Sequence, residues 1–405
     1  MSLVEIISPR TTFYLMEEID MEEKSMYAKL GVDAGKKSVR STFGPIVESK
    51  YPSAFVNIID HPTQNGVVCT LHMDGDGSKF LQRILMYLEL SDPQVFWGAV
   101  IDAMEMNLGD VAASGFVDMA IVADTVNING INVPKKVILE QLAGGFEDAL
   151  ELYKYFGMDV HFLGGETADL PDQVKSIVFD VAVYSETTEK NIISGNVQVG
   201  DKIYGFASDG RAEWEIKENS GMMSNGSTMA RYKEMHPKYG DKYPFLIRDG
   251  ASFEGDKMAE SGVARQLISP TRHFSILIKM IIEALQERNI FYMLHGISMN
   301  TGGGATKIAH VGKGIVYHKT MPEVAPLFQR IQYDSGETWR NMFEIFNCGV
   351  GIDVVGEDSP EFAEVMQIIS EQTHIKLYEL GMCEKNSSNE NRIILETPYG
   401  RFDDY

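Results

Sequence analysis

The chain has few cysteines, no long apolar run and no visible export signal. Its three cysteines, Cys69, Cys348 and Cys383, stand far apart, so they offer neither a disulfide framework nor the spacing of a zinc site. A membrane-spanning helix needs about 18 consecutive apolar residues, and the sequence contains no such run. The N-terminus lacks the basic-then-apolar order of a signal peptide. We therefore expect a protein of the reducing cytoplasm, without a membrane partner.

Positive charge is also scarce. The 36 lysines and arginines are outnumbered by 58 aspartates and glutamates, which gives a formal net charge of −22. Such a field repels nucleic acid and anionic lipid, so neither is expected as a partner. A phosphate-bearing ligand would bind only where magnesium or local backbone dipoles overcome this field.

The length of 405 residues exceeds what one hydrophobic core usually supports, so two domains are expected. The polar stretch 186–196 interrupts the pattern, and we place the boundary there, with domains at 1–190 and 191–405. Residues 209–221 and 236–260 are interpreted as surface insertions. Both halves mix strand and helix patterns, which predicts an α+β (mixed α/β) fold.

The clearest helix signal begins at Pro134. Apolar residues then recur at helical spacing along one face as far as Phe156, and Gly157 ends the pattern. Strands are predicted on either side of this helix, at 118–127 and 158–163.

The most informative run is His72-Met-Asp-Gly-Asp-Gly-Ser-Lys79, which follows the apolar strand 67–71. Glycines allow close backbone approach to a ligand, carboxylates bind divalent metals, and lysine neutralises phosphate oxygens. An EF-hand beginning at Asp74 fails because Lys79 and Leu85 occupy its glycine and glutamate positions. A Walker A loop fails because Phe80 follows the lysine. A metal–nucleotide loop is predicted, with a plain acidic hairpin turn as the alternative.

Further clusters repeat this chemistry. Asn107-Leu-Gly-Asp110 places a carboxylate at the end of a predicted helix, and Phe162-Leu-Gly-Gly-Glu-Thr-Ala-Asp169 reads as a strand ending in glycines and acids. Thr301-Gly-Gly-Gly304 could form a backbone nest for phosphate. Ser224-Asn-Gly226 adds a polar turn. Taken singly, each could be a strained turn, a hinge or an ordinary turn.

In the order in which they occur, these motifs resemble those of the aminoimidazole ribonucleotide synthetase superfamily, over residues 25–385. The match at Leu163-Gly-Gly-Glu-Thr-Ala-Asp-Leu-Pro171 is nearly letter for letter. The other matching segments are Met26-Tyr-Ala-Lys-Leu-Gly-Val-Asp-Ala-Gly35, Met73-Asp-Gly-Asp-Gly-Ser-Lys79, Asp102 with Met106-Asn-Leu-Gly-Asp110, Asn219-Ser-Gly-Met-Met-Ser-Asn-Gly226 with Arg231, Pro270-Thr-Arg272, Asn300-Thr-Gly-Gly-Gly304 and Ile345-Phe-Asn-Cys-Gly-Val-Gly351.

Four positions depart from the family pattern. Met223 and Met299 stand where the family has histidines, Gly109 stands where it has asparagine, and Asp76 adds a carboxylate to the first loop. Methionine can neither transfer a proton nor donate a hydrogen bond. These departures affect the substrate side of the predicted chemistry more than the nucleotide side.

The resemblance implies a two-domain fold and a homodimer in which the N-terminal sheets join into a barrel. It also implies that ATP lies between the subunits and that magnesium assists. The implied reaction is ATP-dependent ring closure of formylglycinamidine ribonucleotide to aminoimidazole ribonucleotide, in purine biosynthesis. Alternatives are superfamily members that make selenophosphate, thiamine diphosphate or a carbamoyl-derived nitrile. A homologue that binds nucleotide without turnover is a further alternative.

The resemblance also implies roles for particular residues. Lys79, Asp74 and Asp110 are the predicted catalytic residues, with Lys79 neutralising phosphate. The predicted metal-side carboxylates are Asp74, Asp110 and Glu166, with Asp76 and Asp102 as weaker candidates. The predicted ATP-binding residues are Gly75, Gly77, Ser78, Lys79, Gly164, Gly165, Glu166 and Thr167. The predicted substrate-binding residues are Ser224, Asn225, Gly226, Gly302, Gly303 and Gly304.

Overall fold

The computed structural model describes residues 25–32 and 37–405. Residues 33–35, the end of the first matching segment, lie outside these ranges. Within them, no helix combines the length and the apolar character that crossing a bilayer requires.

The strands of the described chain fall into two main sheets. The first has the order β1-β2-β5-β3-β4, the second β14-β13-β10-β12-β6-β11-β9, and β7 pairs with β8. The strands are β1 (Ile59–Asp60), β2 (Val67–Gly75), β3 (Met119–Ile128), β4 (Asp159–Asp169), β5 (Ile177–Thr188), β6 (Lys202–Ala207), β7 (Asp209–Gly210), β8 (Asn219–Ser220), β9 (Leu294–Met299), β10 (Ile315–Thr320), β11 (Val350–Gly356), β12 (Leu377–Lys385), β13 (Arg392–Thr397) and β14 (Gly400–Phe402).

Helices occur in both halves, so the predicted mixed α/β class is confirmed. They are α1 (Met26–Lys29), α2 (Lys37–Phe43), α3 (Lys79–Leu90), α4 (Gly98–Ala112), α5 (Lys135–Tyr155), α6 (Ser227–Glu234), α7 (Lys238–Lys242), α8 (Gly262–Leu267), α9 (Phe274–Glu287), α10 (Pro326–Ser335), α11 (Trp339–Ile345) and α12 (Pro360–Thr373). The domain boundary at residue 190 falls between the two sheets and stays a prediction.

The first sheet buries one face and exposes the other. On β5, Phe179 packs edge-on against Phe80 of α3 and Phe146 of α5, so the odd-numbered residues of this strand face the helices. On the opposite face, Leu71 is 74% exposed and Leu163 is 72% exposed. Alternation along each strand produces the two faces, and the outer one carries large exposed apolar side chains that the described residues leave uncovered.

Helix α4 lies between the two halves. All fifteen of its residues are buried, and it packs against β2, β5 and α5 on one side and against α9 on the other. A helix that is buried all round must pair every polar side chain that it carries with a partner. The polar residues of α4 therefore connect the two halves of the chain.

Two expectations need correction. Segment 236–260 is not only a surface insertion, because Tyr239, Phe253 and Ala259 are fully or almost fully buried. The strand predicted to end at residue 163 continues to Asp169. At Gly164 and Gly165 the strand continues through an irregularity in its pairing with β3, and this irregularity lies between Val122 and Asp124 of β3.

Candidate functional site

Asp110 lies near the C-terminal end of α4, where the two halves meet. Its residue is only 5% exposed. One carboxylate oxygen, Oδ2, lies 3.3 Å from Lys307 Nζ and 3.6 Å from His72 Nε2. The other, Oδ1, is buried and has no hydrogen-bond partner among the described residues. A buried carboxylate oxygen without a partner is costly, so this atom is well placed to meet a ligand.

His72 is oriented by Asn107, one turn before Asp110. The Asn107 amide group lies 3.0 Å from the carbonyl oxygens of Asp74 and Val181, to which it donates. Its Oδ1 is therefore the acceptor in the 2.8 Å contact with His72 Nδ1. This arrangement assigns a proton to Nδ1 and turns Nε2 towards Asp110.

Asp74 adds a second carboxylate to this region, and Asp180 lies on the neighbouring strand β5. The Asp74 residue is exposed at the surface, yet loss of hydration at its carboxylate, together with the charge of Asp110, raises the pKa of Asp74. Burial and the charge of Asp74 raise the pKa of Asp180, which pairs with Gly75 across β2 and β5. A Cβ at Gly75 would come within 2.1 Å of the Asp180 carboxylate, so only glycine fits there. Sequence reasoning missed Asp180, because it lies in a strand without a motif of its own.

Lys307 reaches Asp110 from the second half of the chain. Its ammonium also bonds the hydroxyl of Thr301 and lies 4.8 Å from the centre of the Phe55 ring. The turn that delivers it depends on glycine: Gly303 has a φ of 105°, and a Cβ at Gly304 would come within 2.3 Å of the Phe346 carbonyl oxygen. Sequence reasoning missed Lys307 too, although it lies three residues after the triple glycine.

Lys79 does not lie where the motif predicts. Its side chain is fully buried. The ammonium donates to Asp102 Oδ1 at 2.8 Å and to the carbonyl oxygens of Met222 at 3.0 Å and Ser269 at 2.5 Å. These three acceptors use all three ammonium protons. In this structure Lys79 is thus part of a buried ion network, and its role in neutralising phosphate stays a prediction.

Asp102 and Asp76 belong to the same network and are not metal ligands in this structure. Asp102 accepts hydrogen bonds from Lys79, Arg83 and Thr271. The Asp76 carboxylate lies 3.4 Å from the Arg83 guanidinium, and burial raises the pKa of Asp76 well above its ordinary value. Both residues are fully buried.

The predicted nucleotide loop and the predicted substrate loop are neighbours. Ser78 Oγ lies 2.7 Å from Thr228 Oγ1, and the Ser78 carbonyl accepts a 2.6 Å hydrogen bond from the buried Arg231. Within the described residues, the Ser224 hydroxyl and the side-chain amide oxygen of Asn225 (Oδ1) are buried without hydrogen-bond partners. Such atoms can bind a polar ligand.

Residues 164–167 lie on β4, an exposed edge strand. A Cβ at Gly165 would come within 1.9 Å of the Asp124 carbonyl oxygen, and Gly164 has a φ of 82°, so both glycines shape the irregularity in the strand. Glu166 and Thr167 are exposed. In the described ranges no three or more His, Cys, Asp or Glu residues form a group able to hold a metal. The chain therefore does not bring Glu166 together with Asp74 and Asp110 in one metal-holding group.

The two methionines at the family's histidine positions lie in the core. Met223 is 2% exposed and Met299 is fully buried, and both belong to the same apolar cluster. Neither thioether can act as an acid or a base. The only imidazole shown in contact with Asp110 is that of His72, within the described residues.

Comparisons with known proteins agree with the motifs. No protein-family model matches the chain. It is 29% identical to phosphoribosylformylglycinamidine cyclo-ligase of Methanococcus vannielii, over 82% of this chain and 81% of that one. It is 26% identical to the Pyrococcus furiosus protein of the same name, over 91% and 94%.

Solved structures share the fold at low identity. Hydrogenase maturation protein HypE is similar with a TM-score of 0.51 and 13% identity, over 85% of this chain and 90% of that one. The Thermotoga maritima PurL protein complexed with ADP has a TM-score of 0.51 and 11% identity, over 92% of this chain and 49% of that one. The chain is thus similar in sequence to phosphoribosylformylglycinamidine cyclo-ligases and similar in fold to HypE and PurL.

Proposed function

We propose that the protein is an ATP-dependent cyclo-ligase that closes the imidazole ring of formylglycinamidine ribonucleotide to give aminoimidazole ribonucleotide. The relatives named above support the reaction class. The observation that carries the proposal in this chain is the cluster of side chains at Asp110, where Asp74, His72 and Lys307 come together beside the triple-glycine turn. These side chains could bind a metal, transfer a proton and contact a phosphate at the junction of the two halves.

In this reaction the formyl oxygen first takes the γ-phosphoryl group of ATP, and the amidine nitrogen then displaces phosphate. The protein must hold the two reactants in line and stabilise charge on the moving phosphoryl group. Ser224 and Asn225 would bind the ribonucleotide through the unpaired hydroxyl and side-chain amide oxygen that they bury, and Gly226 would shape the turn that carries them. The turn at 302–304 would hold its phosphate with backbone amides.

The carboxylates of Asp74 and Asp110 fit a magnesium ion, which is commonly bound by one or two carboxylates, water and phosphate oxygens. The unpaired Oδ1 of Asp110 supports this fit. Magnesium would neutralise phosphate charge during transfer. Glu166, exposed on the edge strand β4, would join these two only if a second copy of the chain brought it there.

We also propose a homodimer. Neighbouring strands pair Met73 with Ala182 and Ala182 with Ala123, which places a row of apolar side chains across the outer face of the first sheet. Met73 itself is 60% exposed. A second copy packed on this face would bury it, and the site loops on β4 would then lie near the partner.

The test is a turnover assay with ATP, magnesium and formylglycinamidine ribonucleotide, following both phosphate release and the imidazole product. We expect one product per phosphate in the wild type and loss of both with Asp110→Asn, which keeps the shape of the side chain. ATP binding without either product would instead favour a homologue that has lost turnover. The observation that favours this second candidate is the burial of Met223 and Met299 at the family's histidine positions.

A further inference from the structure

Lys307 differs from the other lysines close to the interface between the halves in what its ammonium can still bind. Lys79 and Lys319 are fully buried, and their ammonium groups are bonded to carboxylates and carbonyl oxygens. Lys307 is 16% exposed at its side chain. It therefore contacts a buried carboxylate and remains partly accessible to solvent.

The ammonium of Lys307 is held in place without being fully used. Asp110 Oδ2 and the Thr301 hydroxyl accept two of its protons. The third has no acceptor among the described residues. The Phe55 ring lies below the ammonium, and the aliphatic stem lies against Gly303. A charge that is fixed in position before a ligand arrives loses little entropy on binding it.

The alternative is a structural ion pair that only joins the two halves. A purely structural pair would satisfy the Asp110 carboxylate, yet Asp110 Oδ1 is buried and unpartnered. The carboxylate of Asp74 lies close enough to Asp110 for the two charges to interact. A polyphosphate would be repelled there unless a cation faced it.

We propose that Lys307, and not Lys79, is the lysine that contacts the γ-phosphoryl group of ATP during transfer, which rests on the proposed function. In that step the formyl oxygen forms a bond to the γ-phosphorus while the bond from phosphorus to the ADP oxygen breaks. Lys307 keeps its proton throughout. It stabilises the negative charge on the equatorial oxygens of the transferred group.

The test compares the wild type with Lys307→Met, which removes the charge, and Lys307→Arg, which keeps it. Lys313→Met serves as the control, because Lys313 is an exposed lysine on the same segment. Dissociation constants for ATP and for ADP are measured by calorimetry with magnesium present. The ratio of the two reports the γ-phosphate contact and cancels any general loss of stability.

We expect the wild type and Lys313→Met to prefer ATP over ADP. Lys307→Met should reduce this preference about tenfold or more, the usual effect of losing a charged hydrogen bond. Lys307→Arg should retain most of it. An unchanged ratio in Lys307→Met, or no preference for ATP in the wild type, would overturn the inference.

The proposed function is judged by a separate result. If the wild type prefers ATP but closes no ring, the proposed cyclo-ligase function is wrong. The ratio of the two dissociation constants then decides the role of Lys307 in phosphate binding by itself. If the wild type closes the ring and Lys307→Met leaves the ratio of the two dissociation constants unchanged, the proposed function is supported and the proposed role of Lys307 is wrong.

Discussion

The thioether of Met299 lies directly over Gly109. A Cβ at residue 109 would come within 2.5 Å of the Met299 methyl carbon and 3.0 Å of its sulfur. These are two of the four positions at which the sequence departs from the family pattern, the family having histidine and asparagine there. The two departures are therefore one packing arrangement: the larger side chain on β9 uses the space left by the glycine on α4.

This contact predicts strong coupling between the two positions. Gly109→Asn alone should lower the free energy of unfolding by about 1–3 kcal/mol, because the new side chain overpacks against Met299. Combining it with Met299→Ala should recover part of that loss, with an interaction energy of about 0.5–3 kcal/mol. Urea unfolding of the two single variants and the double variant measures it. Additive effects would show that Met299 moves aside freely.

Lys79→Met separates the structural role of Lys79 from the role predicted by its motif. Removing the ammonium leaves Asp102 with one fewer cation in a fully buried network, so the free energy of unfolding should fall by about 3–5 kcal/mol. Lys136→Met, an exposed lysine on α5, is the control. If Lys79→Met keeps the wild-type free energy of unfolding but loses turnover, Lys79 acts in the reaction as its motif predicts.

Glu105 should make stability depend on pH. It is fully buried on α4, accepts hydrogen bonds from Ser275 and Tyr153, and burial raises its pKa to about 7. The folded state therefore keeps a proton that the unfolded state releases near pH 4.5. The stabilisation is complete below that value and is lost as the pH rises towards 7.

Measured against Glu105→Gln, the wild type should lose roughly 1.4 kcal/mol per pH unit between about pH 5 and 7 and nothing further above that. Urea unfolding at several pH values checks this slope. Glu140→Gln on the exposed side of α5 changes the charge equally and should leave the slope intact. Parallel curves for wild type and Glu105→Gln would contradict the prediction.

The outer face of the first sheet predicts self-association. Leu71→Asp combined with Leu163→Asp should convert a micromolar dimer into a monomer, because an obligate interface of roughly 2,000 Å² cannot bury two carboxylates at its centre. Sedimentation velocity measures the oligomeric state of the variant and of the wild type. Ile216→Asp, at an exposed apolar residue of the second half, should remain dimeric. A monomeric wild type would rule out the dimer.

Magnesium should contribute to nucleotide binding through Asp74 and Asp110. Magnesium with ATP should raise the melting temperature more than ATP with excess chelator, and Asp110→Asn should remove the difference. Glu166→Gln tests the third predicted carboxylate, and it should act only in the dimer. If ATP raises the melting temperature equally with and without metal, the assignment of Asp74, Asp110 and Glu166 as metal ligands is wrong.

Much of the fold follows from periodicity in the sequence. The apolar stripe after Pro134 predicts α5 and its end near Gly157, and the structure has a helix over Lys135–Tyr155. The glycines at 164 and 165 predict that the strand ends at residue 163, and the observed β4 continues six residues further, to Asp169. In fact they let the strand pass close to Asp124 and continue.

The site was harder to predict, because side-chain direction depends on tertiary packing. Lys79 matches its motif in sequence, but it is the first residue of α3 and its ammonium meets carbonyl groups from the second half. No local pattern reveals that contact. Lys307 belongs to no catalytic motif, His72 begins the metal–nucleotide run without a role predicted for it, and only the folded chain places both at Asp110.

The carbonyl groups that accept from Lys79 lie more than 140 residues further along the chain. Within the first half, Lys79 is therefore left with Asp102 as its one acceptor among the described residues, and the other two arrive only when the second half has folded against the first. Although the chain has two sheets, neither half alone can satisfy the polar groups at their junction. Unfolding should accordingly be a single cooperative transition, and a fragment that ends near residue 190 should expose an ammonium that has lost two of its three acceptors and aggregate.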